Sequence, residues 1–343
     1  MLFFVGGFCF DLLLLERVDS FPMLIHQGSY LLLLSFLVAV DHRFSVKGEP
    51  ASVFWRKVFR FRTEVIHFLF GTLLTAFLVF YFKAASGLFS FAFLVVLGAI
   101  LLANEAPRFR RLGPVMRVAL LGFAVASYFS YLFPVMAGFL SPYLYVLAVL
   151  SSTAAMFGLW RIYRWWTKDP GWTLQRAVLP SLSIHAALIL LYLIHVLPPV
   201  PLSLKWIGIY HGAERQGEMV KVSHQRPAWK LWHHGDQSFL ARAGDRIFCF
   251  TRIFAPRHFR DGLKVRWAYQ SPNNGWTRTD AIPLTISGGQ GQGWRGIAYK
   301  RNFIPGRWKV NIETDDGREV GSIHFTVEED LSTEPRSFVD ELR

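Results

Sequence analysis

The sequence predicts a two-part protein. Residues 1–201 read as an α-helical polytopic membrane region of about seven spans. Residues 202–330 read as an all-β, immunoglobulin-like sandwich domain, and residues 331–343 as a polar tail. Three observations predict this division. Apolar runs long enough to span a hydrocarbon core of about 30 Å recur up to Pro201 and then stop. From Leu204 onward apolar residues recur with a period of two, between turn signals. Within the first part, Lys and Arg crowd every second connection, as the positive-inside rule requires.

The first apolar segment is Leu2–Leu15, followed by Glu16, Arg17, Val18 and Asp19. It has no basic residue in front and no small-residue cleavage site, so it reads as a helix rather than a signal peptide. Asp11 lies inside it, where an acid costs roughly 2.5–3.5 kcal/mol on insertion scales. Arg17 is its candidate partner, and Asp11, Arg17 and Asp19 are the candidate intramembrane charges. The second segment is Phe21–Val40. A loop with Arg43, Lys47, Arg56, Lys57, Arg60 and Arg62 leads to Val65–Phe82, and a turn at Lys83–Ser86 leads to Gly87–Ala103. The next loop carries Arg108, Arg110, Arg111 and Arg117, with Pro107 and Pro114 as breakers. Val118–Phe139 and Tyr143–Trp160 follow as a pair around Ser141-Pro142. A third basic loop holds Arg161, Arg164, Lys168 and Arg176. The last span is Leu179–Pro201, ending in prolines.

The three basic loops hold six, four and four cations, whereas the alternating connections hold Arg17, Lys83 and none. That asymmetry places the N-terminus inside and the C-terminal domain outside. Trp160, Tyr163, Trp165, Trp166 and Trp172 around the third basic loop read as an interfacial aromatic belt. The formal net charge of +13 is shared, +8 before Pro201 and +5 after it. Loop topology therefore accounts for most of it in the first part, and nucleic acid is not an expected partner. Ser151–Ala155 is a small-residue run suited to close helix approach. His185 and His195, ten residues apart, would sit about 80° out of line on one helix, so they make no ligand pair. Cys9 and Cys249 fall in dissimilar segments, and no disulfide framework is expected.

In the second part, LKWIGIYHG, EMVKVSH, RIFCFTRIF, LKVRWAYQ, AIPLTIS, GWRGIAYK, RWKVNIET and VGSIHFTVE read as strands. Asp261-Gly262, Asn273-Asn274-Gly275, Gly288-Gly289, Pro305-Gly306 and Asp315-Asp316-Gly317 supply the turns. Trp308 and Val310 share one face of their strand, Lys309 and Asn311 the other. Gly317 supplies a positive φ in the closing hairpin. Trp267, Trp276 and Trp294 are candidates for the core or for a groove. The residues after Glu328 are polar, as in a frayed terminus.

Several of these residues carry a family resemblance: Gly288-Gly289, Gly293-Trp294-Arg295-Gly296, Lys300, Pro305-Gly306-x-Trp308, Glu313-Thr314, Gly317 and Gly321-x-Ile323-x-Phe325. With GGFCFDLLLLERVDS at the start, PPVPLSLKWIGIYHG and the IFAP of Ile253–Pro256, they resemble the membrane-bound branch of the bacterial "domain of unknown function 2914" group. The resemblance is densest over Asp245–Val327. Gln290 and Gln292 depart from it, standing where a charged residue is expected. It implies a membrane region plus a small sandwich, and no activity. With the loop charges, it places the chain in a bacterial inner (cytoplasmic) membrane with a periplasmic C-terminal domain.

Catalytic chemistry is not evident. Gly291-x-Gly293-x-x-Gly296 has dinucleotide spacing but opens a strand, so no helix N-terminus meets a pyrophosphate. G-x-S-x-G, H-E-x-x-H and C-x-x-C are all missing from the sequence. The acids at Asp315-Asp316 and Glu328–Asp330 fall in a turn and near a terminus. No enzyme activity and no cofactor are expected. His211, His224, His233, His234 and His258 are the metal candidates, of which His224, His233 and His234 stand foremost; periplasmic copper handling is the weakest functional alternative. Arg295, Lys300, Arg301, Arg307 and Lys309 form a candidate partner-binding group, opposed by the reading that they guard a sheet edge. The leading expectation is a membrane anchor presenting a sandwich to a periplasmic protein or anionic envelope polymer. A transporter or channel-like helical region with a regulatory β domain is the alternative.

Overall fold

The computed structural model describes residues 21–86, 88–105, 113–227, 229–230, 232–256, 259, 262–284, 286–287 and 293–343. Asp11, Arg17, Asp19, Cys9, His258, Gln290, Gln292 and the arginines at 108, 110 and 111 lie outside them. The chain divides into two compact units, Met1–Phe82 with Leu88–Val200, and Lys83–Gly87 with Pro201–Arg343.

The helical unit contains α1 (Phe21–Lys47), α2 (Val53–Val58), α3 (Arg62–Ala84), α4 (Leu88–Glu105), α5 (Pro114–Ala137), α6 (Pro142–Thr167), α7 (Leu174–Ala177) and α8 (Leu179–Leu193). Among the described residues, four stretches are long and apolar enough to cross a membrane: Phe21–Lys47, Val53–Ala84, Val115–Ala137 and Pro142–Thr167. Ser90–Ala103 and Leu179–Leu193 are apolar but shorter. The last helix thus stops before the predicted Pro201. Its 15 residues extend about 22 Å. Past Leu193 the backbone turns: His195 takes φ 60°, and Pro198-Pro199 lack the N–H groups a helix needs. Ser141 starts α6 as expected of a serine before proline, its Oγ accepting from Tyr143 N–H at 3.2 Å. The outer faces expose Phe68, Phe91, Val95, Val96, Leu147, Leu150 and Leu190, each more than half accessible. Such a continuous apolar exterior suits hydrocarbon rather than water.

Inside this unit the packing is close. Tyr145 and Tyr192 stack at 3.7 Å. A Cβ on Gly122 of α5 would fall 2.6 Å from Ser181 Cβ of α8, so the glycine sets how near these helices come. Tyr163 is buried and donates to the Ser35 carbonyl. Trp172 is buried too, and only Trp165 of the predicted belt is largely bare, at 77%. Two of the five aromatics are therefore internal packing groups.

Among its described residues the second unit contains twelve strands: β1 (Ser203–Tyr210), β2 (Gly212–Gln216), β3 (Met219–His224), β4 (Ser238–Ala241), β5 (Ile247–Phe254), β6 (Leu263–Ser271), β7 (Gly275–Pro283), β8 (Ile286–Ser287), β9 (Trp294–Lys300), β10 (Gly306–Thr314), β11 (Glu319–Glu329) and β12 (Val339–Leu342). They form a four-stranded sheet, β1-β5-β9-β8, and a five-stranded sheet, β4-β11-β10-β6-β7. The two face each other as a sandwich, with β1 packed on β11. Ile207, Ile209, Cys249, Ile253 and Ala298 line one inner face. Val265, Trp267, Trp308, Val310, Ile312, Ile323 and Phe325 line the other. Each Val, Ile and Phe among them contributes about 1.5–3 kcal/mol by leaving water.

A third sheet, β12-β3-β2, covers the opposite face of the four-stranded sheet. Val220 and Val222 pack there on Tyr210 and Phe250. The expected frayed tail is therefore a strand: Val339–Leu342 pairs with His224–Lys221. Polar composition hid it, because its side chains lie on an exposed edge.

Candidate functional site

The predicted basic group is split by the pleat of β9. Successive side chains point to opposite faces, so Arg295 and Lys300, five positions apart in the sequence, cannot share one. Arg295 is 4% exposed, its Nε donating to the Arg343 carbonyl at 3.0 Å. Lys300 is 5% exposed, paired with Asp280 and held 5.3 Å above the Trp308 ring. Both are internal to the fold, which corrects the expectation of one open face. Arg301 lies 5.5 Å over Tyr299 at a cleft of about 540 Å3 beside the end of β4.

Arg307 and Lys309 do remain on the outer face of the five-stranded sheet, and the register gives them new neighbours. One rank across four strands reads Arg278, Ala268, Lys309, His324. Adjacent members sit about 4.8 Å apart along the sheet. Arg307 and Trp276 follow on the same face, two residues from Lys309 and Arg278. Trp276 is 40% exposed and meets His324 edge-on at 5.3 Å. Burial, then Lys309 and Arg307, push His324 below the usual imidazole range. The face is thus electropositive and carries an aromatic platform, with Glu319 3.4 Å from Lys309 at its border. Arg278 and His324 escaped the sequence reading, since only strand register brings them to Lys309.

The histidines do not converge. His224 Nε2 lies 3.2 Å from Glu341. His234 stacks on Trp206 at 4.2 Å, with Nδ1 3.1 Å from the Ile207 carbonyl. His233 sits beside Lys230 and Arg226, and burial together with these cations lowers its pKa. Among the described residues no group of three or more His, Cys, Asp or Glu could hold a metal ion. His211 has a structural role: Nδ1 lies 2.7 Å from Asp236, Nε2 lies 3.1 Å from the Leu240 carbonyl, and the ring stacks on Phe239. Cys249 is fully buried, which pushes its thiol well up and out of reach of thiolate chemistry.

Between His224 and Asp236 runs a loop whose aromatics were not singled out from sequence. Trp229 and Trp232 are 65% and 67% exposed, their rings 5.7 Å apart. Lys230 Nζ lies 5.4 Å from the Trp229 ring. Arg226 braces the loop from below, donating to the carbonyls of Lys230 (3.0 Å) and His233 (2.9 Å).

In the helical unit, the small-residue run and His185 come together. His185 is 2% exposed. Its Nδ1 lies 2.7 Å from Thr153 Oγ1 and its Nε2 3.0 Å from the Gly122 carbonyl. A cavity of about 20 Å3, lined by Tyr81, Ser127, Tyr131, Tyr145 and Tyr192 among others, is room for one water.

The paired carboxylates of the β domain set its acid response. Burial raises Asp245, but the two-pronged Arg336 contact (2.6 and 2.8 Å) and the Arg242 N–H outweigh it, leaving the group lowered. Burial likewise raises Glu341, and Arg343 and His224 outweigh it. Carboxylates lowered by folding stabilise the domain above their unfolded values, near 4. That stability is lost as pH falls through the folded values. The melting temperature of the strand signal should fall slightly below about pH 6.5, where His233 and His324 take up a proton more readily unfolded than folded, and then decline more steeply below about 4 as Asp245 and Glu341 are protonated. Asp245→Asn should flatten that decline, and an acid decline identical in the variant would refute the assignment.

Comparison with known proteins bears on the β domain. Residues 261–327 match the family described as "Protein of unknown function (DUF2914)". The chain is related to that family through this segment. It runs from just before β6 to near the end of β11 and so contains Trp276, Arg278, Arg307, Lys309 and His324. No curated protein matches the chain. An immunoglobulin-like protein from Pseudomonas aeruginosa is similar in structure, at 10% identity over 38% of this chain and 98% of its own, with a TM-score of 0.22. The alkylpurine DNA glycosylase AlkC of Pseudomonas fluorescens, bound to DNA containing an abasic site analog, aligns at 13% identity over 92% of this chain and 99% of its own, with a TM-score of 0.18. At those scores neither likeness carries an argument about fold or activity.

Proposed function

We propose that the helical unit is a multi-span anchor of the cytoplasmic membrane, with about seven spans, and that it presents the sandwich in the periplasm to an acidic partner protein or envelope polymer. The observation that carries this reading is the outer face of the five-stranded sheet. There Arg278, Arg307 and Lys309 gather around Trp276 and His324, on a rigid sheet and on one side of it. Cations at that density attract an anionic ligand and speed its arrival. An indole supplies the apolar contact that interface anchors need. The basic connections of the helical unit support the orientation, since α2 and its flank expose Phe54, Trp55 and Phe61 among Arg56, Lys57 and Arg60. This is the composition of a segment at a lipid headgroup boundary.

Two measurements test it. A phosphatase reporter after Arg343 should be active, while a fluorescent protein that matures only in the cytosol should stay dark there. The opposite pattern would end the periplasmic reading. In pull-downs from solubilised envelopes, Arg307→Glu with Lys309→Glu should lose a partner that the parent chain retains. Arg307 is exposed while Lys309 is partly covered and faces Glu319, so a melt of the variant accompanies the pull-down, and undiminished capture by the folded variant would remove the face from consideration.

A transport role draws on one observation, the buried His185 with Thr153 and the Gly122 carbonyl. The anchor reading is preferred because these groups satisfy one another.

A further inference from the structure

The Trp229–Trp232 loop is separate from the basic sheet face, and its side chains have a different chemistry. Two indoles stand about two-thirds exposed with their rings 5.7 Å apart. An indole left in water forgoes the burial that aromatic side chains ordinarily gain. The loop holding them is braced: Arg226 bonds two of its carbonyls, and Gln225 N–H donates to Asp236 at 2.9 Å. The exposure is therefore built in. The stretch from His224 to Gly235 has Arg226, Lys230 and three histidines and no acid. Trp side chains beside cations are what a protein places at a bilayer interface, the ring among the headgroups and the cation on lipid phosphate. Trp229 follows Pro201 by fewer than thirty residues in a chain whose described residues include four helices apolar enough to cross a membrane. Attachment to such helices raises the effective concentration of a bilayer for the surface of the domain that carries this loop.

We propose that the loop carrying Trp229, Lys230 and Trp232 is a docking site for the surface of an anionic phospholipid bilayer. The two indoles enter the headgroup region and Lys230 pairs with phosphate. This inference does not require the sheet face to bind a partner.

The test uses the full chain in nanodiscs of phosphatidylcholine, alone or with phosphatidylglycerol, with brominated acyl chains as quencher. Fluorescence present in the parent chain and missing from W229F/W232F belongs to these two indoles. In discs with phosphatidylglycerol that difference signal should be blue-shifted, quenched by the brominated lipid and shielded from aqueous iodide. K230Q should weaken the contact about fivefold, the worth of one cation near an anionic surface, and salt should weaken it further. A difference signal quenched by iodide and indifferent to brominated lipid would overturn the proposal. So would capture of a soluble anionic polysaccharide by the indoles with no response to lipid. Phenylalanine at both positions leaves the bracing bonds of Arg226 and Asp236 in place, so loss of fold does not enter the comparison.

Discussion

Replacing Gly235 by alanine should lower the melting temperature of the β domain by about 10 °C, the largest loss expected of any single methyl in this domain. Gly235 holds φ 73° and lies against the β1 backbone. A Cβ there would stand 2.0 Å from the Ile209 carbonyl oxygen. That atom belongs to a buried strand and cannot swing aside as a side chain would. The same oxygen accepts from Asp236 N–H at 2.6 Å, and Ile209 N–H donates to the His234 carbonyl at 3.2 Å. Relieving the clash pushes the segment off β1, severs both bonds and draws Asp236 away from buried His211. Left-handed backbone costs an L-residue roughly 1–2 kcal/mol, and two broken bonds add roughly 1 kcal/mol each. Gly317 provides the control. It has φ 83° but open space where a Cβ would go, so Gly317→Ala should cost the backbone term alone, about 1 kcal/mol. Circular dichroism melts of the two variants in detergent decide the matter. Equal melting temperatures would show that the contact with Ile209 does not constrain the fold.

The eight strands expected from period-two apolar runs correspond to β1, β3, β5, β6, β7 with β8, β9, β10 and β11. They were legible because each buries one face and writes that face into every second residue. Most of β7 was missed: residues 275–281 are all exposed, so a strand at the sheet edge shows no apolar alternation. β4 is too short, at four residues, to show a period. For the site, sequence supplied Arg307 and Lys309 but grouped them with Arg295 and Lys300. Closeness in sequence was taken for closeness in space, whereas the pleat sends Arg295 beneath the third sheet and Lys300 into the sandwich. Arg278 became a neighbour of Lys309 only through the pairing of β6 with β7 and β10, and no local pattern encodes that register. The Trp229–Trp232 pair carried a signal that could have been used. Two tryptophans and a lysine in a stretch with no strand period have no core to enter.

The second large effect is expected in the helical unit, at Asp41. This carboxylate near the end of α1 accepts from Arg62 Nε at 2.9 Å and from Arg117 Nη1. All three side chains are only 15–20% exposed. Arg62 opens α3 and Arg117 lies in the first turn of α5. A cation is disfavoured at both places, where the helix dipole is already positive. Asp41 is what makes the pair tolerable. Asp41→Asn keeps the volume but leaves two mostly buried guanidinium groups near each other, with the exposed Glu49, 3.9 Å from Arg62, as a weaker countercharge. Removing one partner of a fully buried pair costs about 3–5 kcal/mol; with water reaching these groups, about 2–3 kcal/mol is the reasonable scale. Arg62 and Arg117 were counted from sequence as orientation charges, and the geometry gives them this second task of tying α1, α3 and α5 together. The distinction is testable through a double-mutant cycle. If the carboxylate neutralises the pair, Arg117→Gln in the Asp41→Asn background should cost less than in the parent chain, because it relieves the repulsion left behind. If both arginines act only as topological signals, the two substitutions will add, and thermal unfolding in detergent will show neither with a loss beyond that of a surface change.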